Sequence, residues 1–169
     1  MSRKVPGGLL TRRRPCPFST GLVRGQDGES QALLGQNLEG RLGDGTANDS
    51  SVPVAVVGQT GATSITGSLG QMCIVVPGVP LRCWGANNGG SLGNGNQTPS
   101  NVPVDVLVSG DLVSPLSIFG VATGGKHTCA MVGIEAIAVQ CWGENTFGQL
   151  GTGDTISSNG PVNLPWWGA

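Results

Sequence analysis

Apolar residues come in short runs along this chain, never in long ones. Val52-Pro53-Val54-Ala55-Val56-Val57, Met72-Cys73-Ile74-Val75-Val76, Val102-Pro103-Val104-Asp105-Val106 and Ala138-Val139-Gln140-Cys141-Trp142 are separated by glycine and small polar residues. Short, Val-rich runs bounded by turn residues read as strands. No run keeps i, i+3, i+4 spacing over three turns, so the pattern gives no helix. No stretch of 18 apolar residues is present either, so no membrane-spanning helix is expected. Pro53 and Pro103 restrict their strands to a sheet edge or to the start of a strand.

The polar stretches are as regular as the apolar ones. The frame G-x-N-x-x-G-x-L-G-x-G, followed by seven residues and then Pro-Val, occurs three times. The first copy carries Gly35, Asn37, Gly40, Leu42, Gly43 and Gly45; the second Gly85, Asn87, Gly90, Leu92, Gly93 and Gly95; the third Gly143, Asn145, Gly148, Leu150, Gly151 and Gly153. Copies begin at residues 35, 85 and 143, a period typical of propeller blades and solenoid units. Within a frame the glycines allow a tight turn, the asparagine favours a side-chain-capped turn, and the leucine anchors the loop to a core. A phosphate cradle would need a following helix and a lysine, and the frames have neither. The glycines and leucines are therefore read as structural.

Two hairpins precede the second and third frames. Pro77-Gly78 is a turn dipeptide midway between Cys73 and Cys83, which places the two cysteines opposite each other on antiparallel strands. Facing Cα atoms lie ~4.5–5.5 Å apart, within reach of a disulfide. Cys129 and Cys141 fit the same scheme around Gly133. The reading is two local disulfides, each adding about 2–3 kcal/mol, with buried free thiols as the alternative. Zinc is disfavoured, because there is no C-x-x-C and His127 is the only histidine. Cys16 has no assigned role.

Glycine and proline number 30 and 11 of 169 residues, near the low-complexity range. Their periodic placement argues for order instead. Residues 1–26 hold six of the nine basic residues and no acid. A basic segment rich in Gly, Pro and Ser reads as a disordered arm over 1–30, with acidic or nucleic-acid contact confined to that arm. Leu9-Leu10 is too short for the apolar core of an export signal, while paired cysteines suit an oxidising compartment. The conflict suggests that the true beginning of the protein lies elsewhere, with localisation leaning extracytoplasmic. No activated serine, carboxylate pair, metal set or cofactor loop is present. The expectation is a non-enzyme with no cofactor and no small-molecule substrate.

Residues 124–130 (G-G-K-H-T-C-A), 139–145 (V-Q-C-W-G-E-N) and 147–154 (F-G-Q-L-G-T-G-D) resemble the repeat of the regulator-of-chromosome-condensation family. The resemblance runs through 118–165 and 72–106 and partly through 35–57. The Cys-Trp-Gly pattern around Trp84 and Trp142 is similar to the bacterial and secreted branch. Copy one departs, with Leu33-Leu34 in place of Cys-Trp and no recognisable strand before it. In that family seven repeats of ~50 residues close into a propeller of four-stranded antiparallel blades. The resemblance implies an all-β, open arc of two to three blades over 31–169, a piece of a longer propeller that associates with further blades or with itself. It implies protein binding through rim loops. The alternatives it offers are guanine-nucleotide exchange on a small GTPase and secreted inhibition of an enzyme. None of the family's exchange residues maps onto this chain, so binding residues are left unassigned.

Overall fold

In a computed structural model of the chain, the described residues are 21–24, 30–68, 70–107, 117–133 and 137–165. Three antiparallel sheets follow one another. The first contains β1 (Gly21–Arg24), β2 (Ser30–Gly35) and β3 (Ser50–Thr60) in sequential order. The second contains β4 (Ser64–Gly67), β5 (Gln71–Val75), β6 (Arg82–Gly85) and β7 (Ser100–Asp105). The third contains β8 (Ser117–Thr123), β9 (His127–Gly133), β10 (Ile137–Gly143) and β11 (Ser158–Asn163). Each is a meander, and together they are three successive blades of a propeller arc. The alternation of apolar runs and frames thus has a direct structural meaning: a frame links the last two strands of every blade.

The proline rule accounts for strand positions. Pro53, Pro103 and Pro161 lie in β3, β7 and β11, each at the edge of its sheet, where a missing N–H costs no ladder bond. Cys73 pairs directly with Cys83, and Cys129 with Cys141. Both pairs are disulfides, with Cα atoms 4.1 Å apart. One expectation is corrected at the start of the chain. Gly21–Arg24, placed within the basic arm, is a strand that pairs with β2 in register Leu22↔Leu33 and Val23↔Ala32. The signal was too short to read, because a four-residue strand has almost no periodicity of its own. Residues 1–20 (Cys16 among them) and 25–29 of the arm, Leu69 and Trp166-Trp167 lie outside the described residues.

The core sits between blades, not within them. Leu33, Leu42 and Val56 of blade 1 cluster with Ala62, Met72, Ile74 and Trp84 of blade 2. Cys73, Val75, Leu81, Cys83, Leu92 and Val106 of blade 2 cluster with Ala130, Val132 and Trp142 of blade 3. Strand β5 is covered on both faces, and all five of its residues are buried. Alternate residues of a strand point to opposite faces, so Met72 and Ile74 face backward while Cys73 and Val75 face forward.

Each junction is latched by a tryptophan. Trp84 Nε1 donates to the Arg41 carbonyl at 3.0 Å, and Trp142 Nε1 donates to the Ser91 carbonyl at 3.0 Å. Arg41 and Ser91 occupy the same frame position, one blade back. The indole lies flush on the next frame glycine: a Cβ at Gly43 or Gly93 would come within 2.6 Å of Nε1. Gly58 has a similar left-handed backbone (φ 65°) with open space around it. Gly58→Ala is therefore expected to cost backbone strain alone, about 1–2 kcal/mol. Gly93→Ala adds displacement of a buried indole, so its loss in chemical denaturation is expected to be larger by at least about 2 kcal/mol. Equal losses for the two variants would remove the latch as the reason for the glycine.

Candidate functional site: the frame loops

The three frame loops each link the last two strands of their blade and line one rim of the arc. Each is organised by its asparagine, which is 0–1% exposed in all three copies. In every copy the Asn Oδ1 accepts the N–H of the frame leucine. Leu42 N reaches Asn37 at 2.8 Å, Leu92 N reaches Asn87 at 2.9 Å, and Leu150 N reaches Asn145 at 2.8 Å. The Nδ2 group points the other way, into the far side of the loop. Asn37 donates to Asp44 and Thr46, Asn87 to Asn94, Asn96 and Thr98, and Asn145 to Thr152, Asp154 and Ile156. One amide therefore closes each loop across its width. The leucine whose N–H it holds is buried beneath it, at most 1% exposed.

The residues seven and nine places after each asparagine form a bracket that sequence reading missed. They are Asp44 and Thr46, Asn94 and Asn96, and Thr152 and Asp154. In the first and third copies the same Asp–Thr pair appears in reversed order. Thr46 Oγ1 donates to Asp44 at 2.9 Å, and Thr152 Oγ1 donates to Asp154 at 2.9 Å. The reversal hid the equivalence, because the two aspartates stand at different frame positions. Burial pulls the Asp44 carboxyl upward, but donation by the Thr46 N–H and hydroxyl and by Asn37 outweighs it and leaves the pKa below its ordinary 3.8. The Ile156 N–H, then Thr152 and Asn145, hold Asp154 below the same ordinary value.

Of the predicted frame glycines, Gly40, Gly43, Gly90 and Gly93 pack against the following blade. The Cβ positions of Gly40 and Gly90 are occupied by Asn101 and Asn159 of the following blade. Gly45 N donates to the Asn101 carbonyl at 3.0 Å, and Gly95 N donates to the Asn159 carbonyl at 2.9 Å. A second contact between blades runs from Gln71 Nε2 to the His127 carbonyl at 3.1 Å. The Thr128 hydroxyl also donates to the Ser91 carbonyl, which thus takes two bonds. His127 therefore contributes its backbone to this junction. Among the described residues, no group of three His, Cys, Asp or Glu could hold a metal ion.

The exposed rim residues include two apolar side chains at the loop ends. Leu38 is 66% exposed and Ile156 is 73% exposed. Asn88 and Thr98, their counterparts in blade 2, also stay exposed although blade 2 has a neighbour on both sides. These two positions therefore belong to the rim and not to a blade face.

Three sheets packed face on face, each latched to the one before it through a frame loop, define a β-propeller arc. The family described as regulator of chromosome condensation (RCC1) repeat matches residues 83–131 and 138–166. The chain is built of RCC1 repeats and belongs to that family. It is 32% identical over 140 residues to the ultraviolet-B receptor UVR8 of Arabidopsis thaliana, covering 81% of this chain and 30% of the receptor. It is 34% identical over 121 residues to the RCC2 homolog of Danio rerio, covering 72% of this chain and 22% of that protein. The human WBSCR16 structure superposes with a TM-score of 0.71 at 24% identity, over 89% of this chain and 36% of that one. Yeast RCC1 (Prp20), in its complex with Kap60, superposes with a TM-score of 0.65 at 14% identity, over 82% of this chain and 34% of that one. The chain thus spans about a third or less of the length of these relatives.

Two outcomes test the loop account. Asn145→Ala leaves the Leu150 N–H without its partner and takes a donor from the Asp154 and Ile156 carbonyls, and is expected to cost about 3 kcal/mol or more; a loss under 1 kcal/mol in urea denaturation would show that water replaces the bracket. The second is a pH effect. Both aspartates are depressed in the folded state, so their stabilisation is present above the ordinary carboxylate value of 3.8. It is lost as pH falls through the lower folded values. Thermal melts from neutral pH to below 3.8 should show a steeper acid limb for the parent than for the Asp44→Asn, Asp154→Asn variant; coincident limbs would exclude the brackets as its source.

Proposed function

We propose that this chain is a non-catalytic binding module that recognises a protein partner through the rim formed by its frame loops. The observation that carries this reading is the contrast within the first and third loops. The backbone is pinned by a buried asparagine, while Leu38 and Ile156 project into solvent. Rigid presentation of apolar side chains lowers the entropy lost on binding, and loops on a stable scaffold are common recognition sites. The solved relatives support a protein partner: Prp20 was crystallised bound to Kap60 and is described by its binding to Gsp1p and histones.

The test is capture from native extract with the parent chain and with a Leu38→Ser, Ile156→Ser variant. The variant should melt like the parent, because neither side chain packs in the core. It should bind the captured partner at least about tenfold more weakly, the effect of losing an apolar anchor. Unchanged affinity would move the site off the rim. A parallel assay of fluorescent-nucleotide release from a loaded small GTPase should show the spontaneous rate; clear acceleration would favour the exchange-factor reading instead.

A further inference from the structure

The second frame loop carries a chemistry at its tip that its two counterparts lack. The tip residues are Leu38-Glu39 in the first loop, Asn88-Gly89 in the second and Thr146-Phe147 in the third. Asparagine is a chemically labile residue, and a following glycine makes it more so. The glycine nitrogen can attack the side-chain amide carbon, because no Cβ crowds its approach. A cyclic imide forms as the new C–N bond closes, and the side-chain nitrogen leaves as ammonia. Water then opens the ring at either carbonyl, giving aspartate or isoaspartate. Three such pairs occur: Asn88-Gly89, Asn94-Gly95 and Asn159-Gly160.

The fold separates them. At Asn94 both reacting groups are held. Its Oδ1 accepts Asn87 Nδ2 at 3.2 Å, and the Gly95 N–H donates to the Asn159 carbonyl at 2.9 Å, across the junction of blades 2 and 3. Asn159 lies in β11, where it fills the Cβ position of Gly90 and its Oδ1 accepts Gln97 Nε2 at 3.1 Å. The Gly160 N–H donates to Ser158 Oγ at 3.4 Å. Ring closure at either site must first break these contacts. Asn88 has none of them to break. Its side chain is exposed, and among the described residues neither that side chain nor the Gly89 N–H makes a hydrogen bond. Two long turn bonds hold the backbone here, Gly90 N–H to the Asn87 carbonyl at 3.2 Å and Ser91 N–H to the Asn88 carbonyl at 3.3 Å.

We propose that Asn88 is a site of spontaneous covalent modification, losing its amide as ammonia and becoming aspartate or isoaspartate while Asn94 and Asn159 persist. The product changes the second loop in two ways. Either form places a negative charge at the rim position that Leu38 and Thr146 hold in the other loops. The isoaspartate form also routes the main chain through the side-chain carbon, adding one backbone atom before Gly89. Gly89 has little room to shift, since a Cβ built there would lie 2.9 Å from the Glu144 nitrogen of blade 3. Isoaspartate at this position therefore loosens the junction of blades 2 and 3. Aspartate alters the charge of the rim and leaves the junction closed.

The test is to hold the full chain, disulfides intact, in mildly alkaline buffer and follow it by peptide mapping that separates asparagine, aspartate and isoaspartate. Residue 88 should convert first, in both product forms. Asn94 and Asn159 should be at least about tenfold slower, because each must open a packed contact before the ring can close. In denaturant the three rates should converge. Comparable rates in the folded chain would overturn the assignment, because the junction contacts would then give no protection. The same order of rates in denaturant would overturn it too, since local sequence alone would set that order. Asn88→Gln should remove the early conversion and keep the two slow ones; early conversion that survives it would place the reactive pair elsewhere. The isoaspartate fraction should melt below the Asn88→Asp variant, and coincident melts would overturn the effect on the junction.

Discussion

A tryptophan buried between two sheets brings a donor with its ring, and that donor must find an acceptor where water cannot reach. In this arc the acceptor is a backbone carbonyl of the preceding frame loop. The rest follows from that demand. The carbonyl is available only if the loop turns sharply enough to leave it outside the strand ladder. The turn holds its shape because one asparagine ties both of its sides together. The indole can reach the carbonyl only across a surface without side chains, which is why Gly43 and Gly93 face Trp84 and Trp142. Loop, glycine and tryptophan are one device spread over two blades.

This division explains what could be read before any coordinates. The frames were legible because every blade repeats the same turn, so Gly, Asn and Leu recur in register. The cysteine pairs were legible because Pro77-Gly78 marks the centre of a hairpin. Edge placement of Pro53 and Pro103 followed from the missing N–H. What stayed hidden was the partner of each motif. A tryptophan and the glycine beneath it are 41 residues apart in one junction and 49 in the other, and a spacing that varies leaves no period to detect. The Asp–Thr brackets were hidden for a different reason: two hydrogen-bonding residues exchanged places without changing the bond. The first strand was missed because four residues carry too little pattern.

The core between blades has a consequence for how the chain tolerates change. The middle sheet takes part in both interfaces and each outer sheet in one, so stability is close to a sum over junctions. Residues of one blade are then fitted to its neighbour more than to their own sheet. Blade 1 has Leu33, Leu34 and Ser51 where blades 2 and 3 have a disulfide cysteine, the tryptophan and the asparagine (Asn101, Asn159) that fills a glycine cradle. All three serve contacts at blade faces, and its forward face, with Leu33 and Leu42 fully buried, keeps what blade 2 needs.

The same logic separates scaffold from recognition. In the frame loops, the positions of Asn, Leu and the glycines are occupied by hydrogen bonds, core contacts or neighbouring blades, and a change there breaks a junction. Leu38, Asn88 and Thr146, and likewise Asn48, Thr98 and Ile156, keep their side chains exposed, and the hydrogen bonds at Leu38, Asn48, Thr98 and Ile156 run through their backbones. Their side chains differ in size and polarity from blade to blade, while the loop backbones stay pinned by the same asparagine bonds. A surface with a constant backbone and unconstrained tips can change what it binds without changing how it folds. In the binding mode proposed above, selection of a partner would fall to those few exposed side chains, with Leu38 and Ile156 as its apolar component.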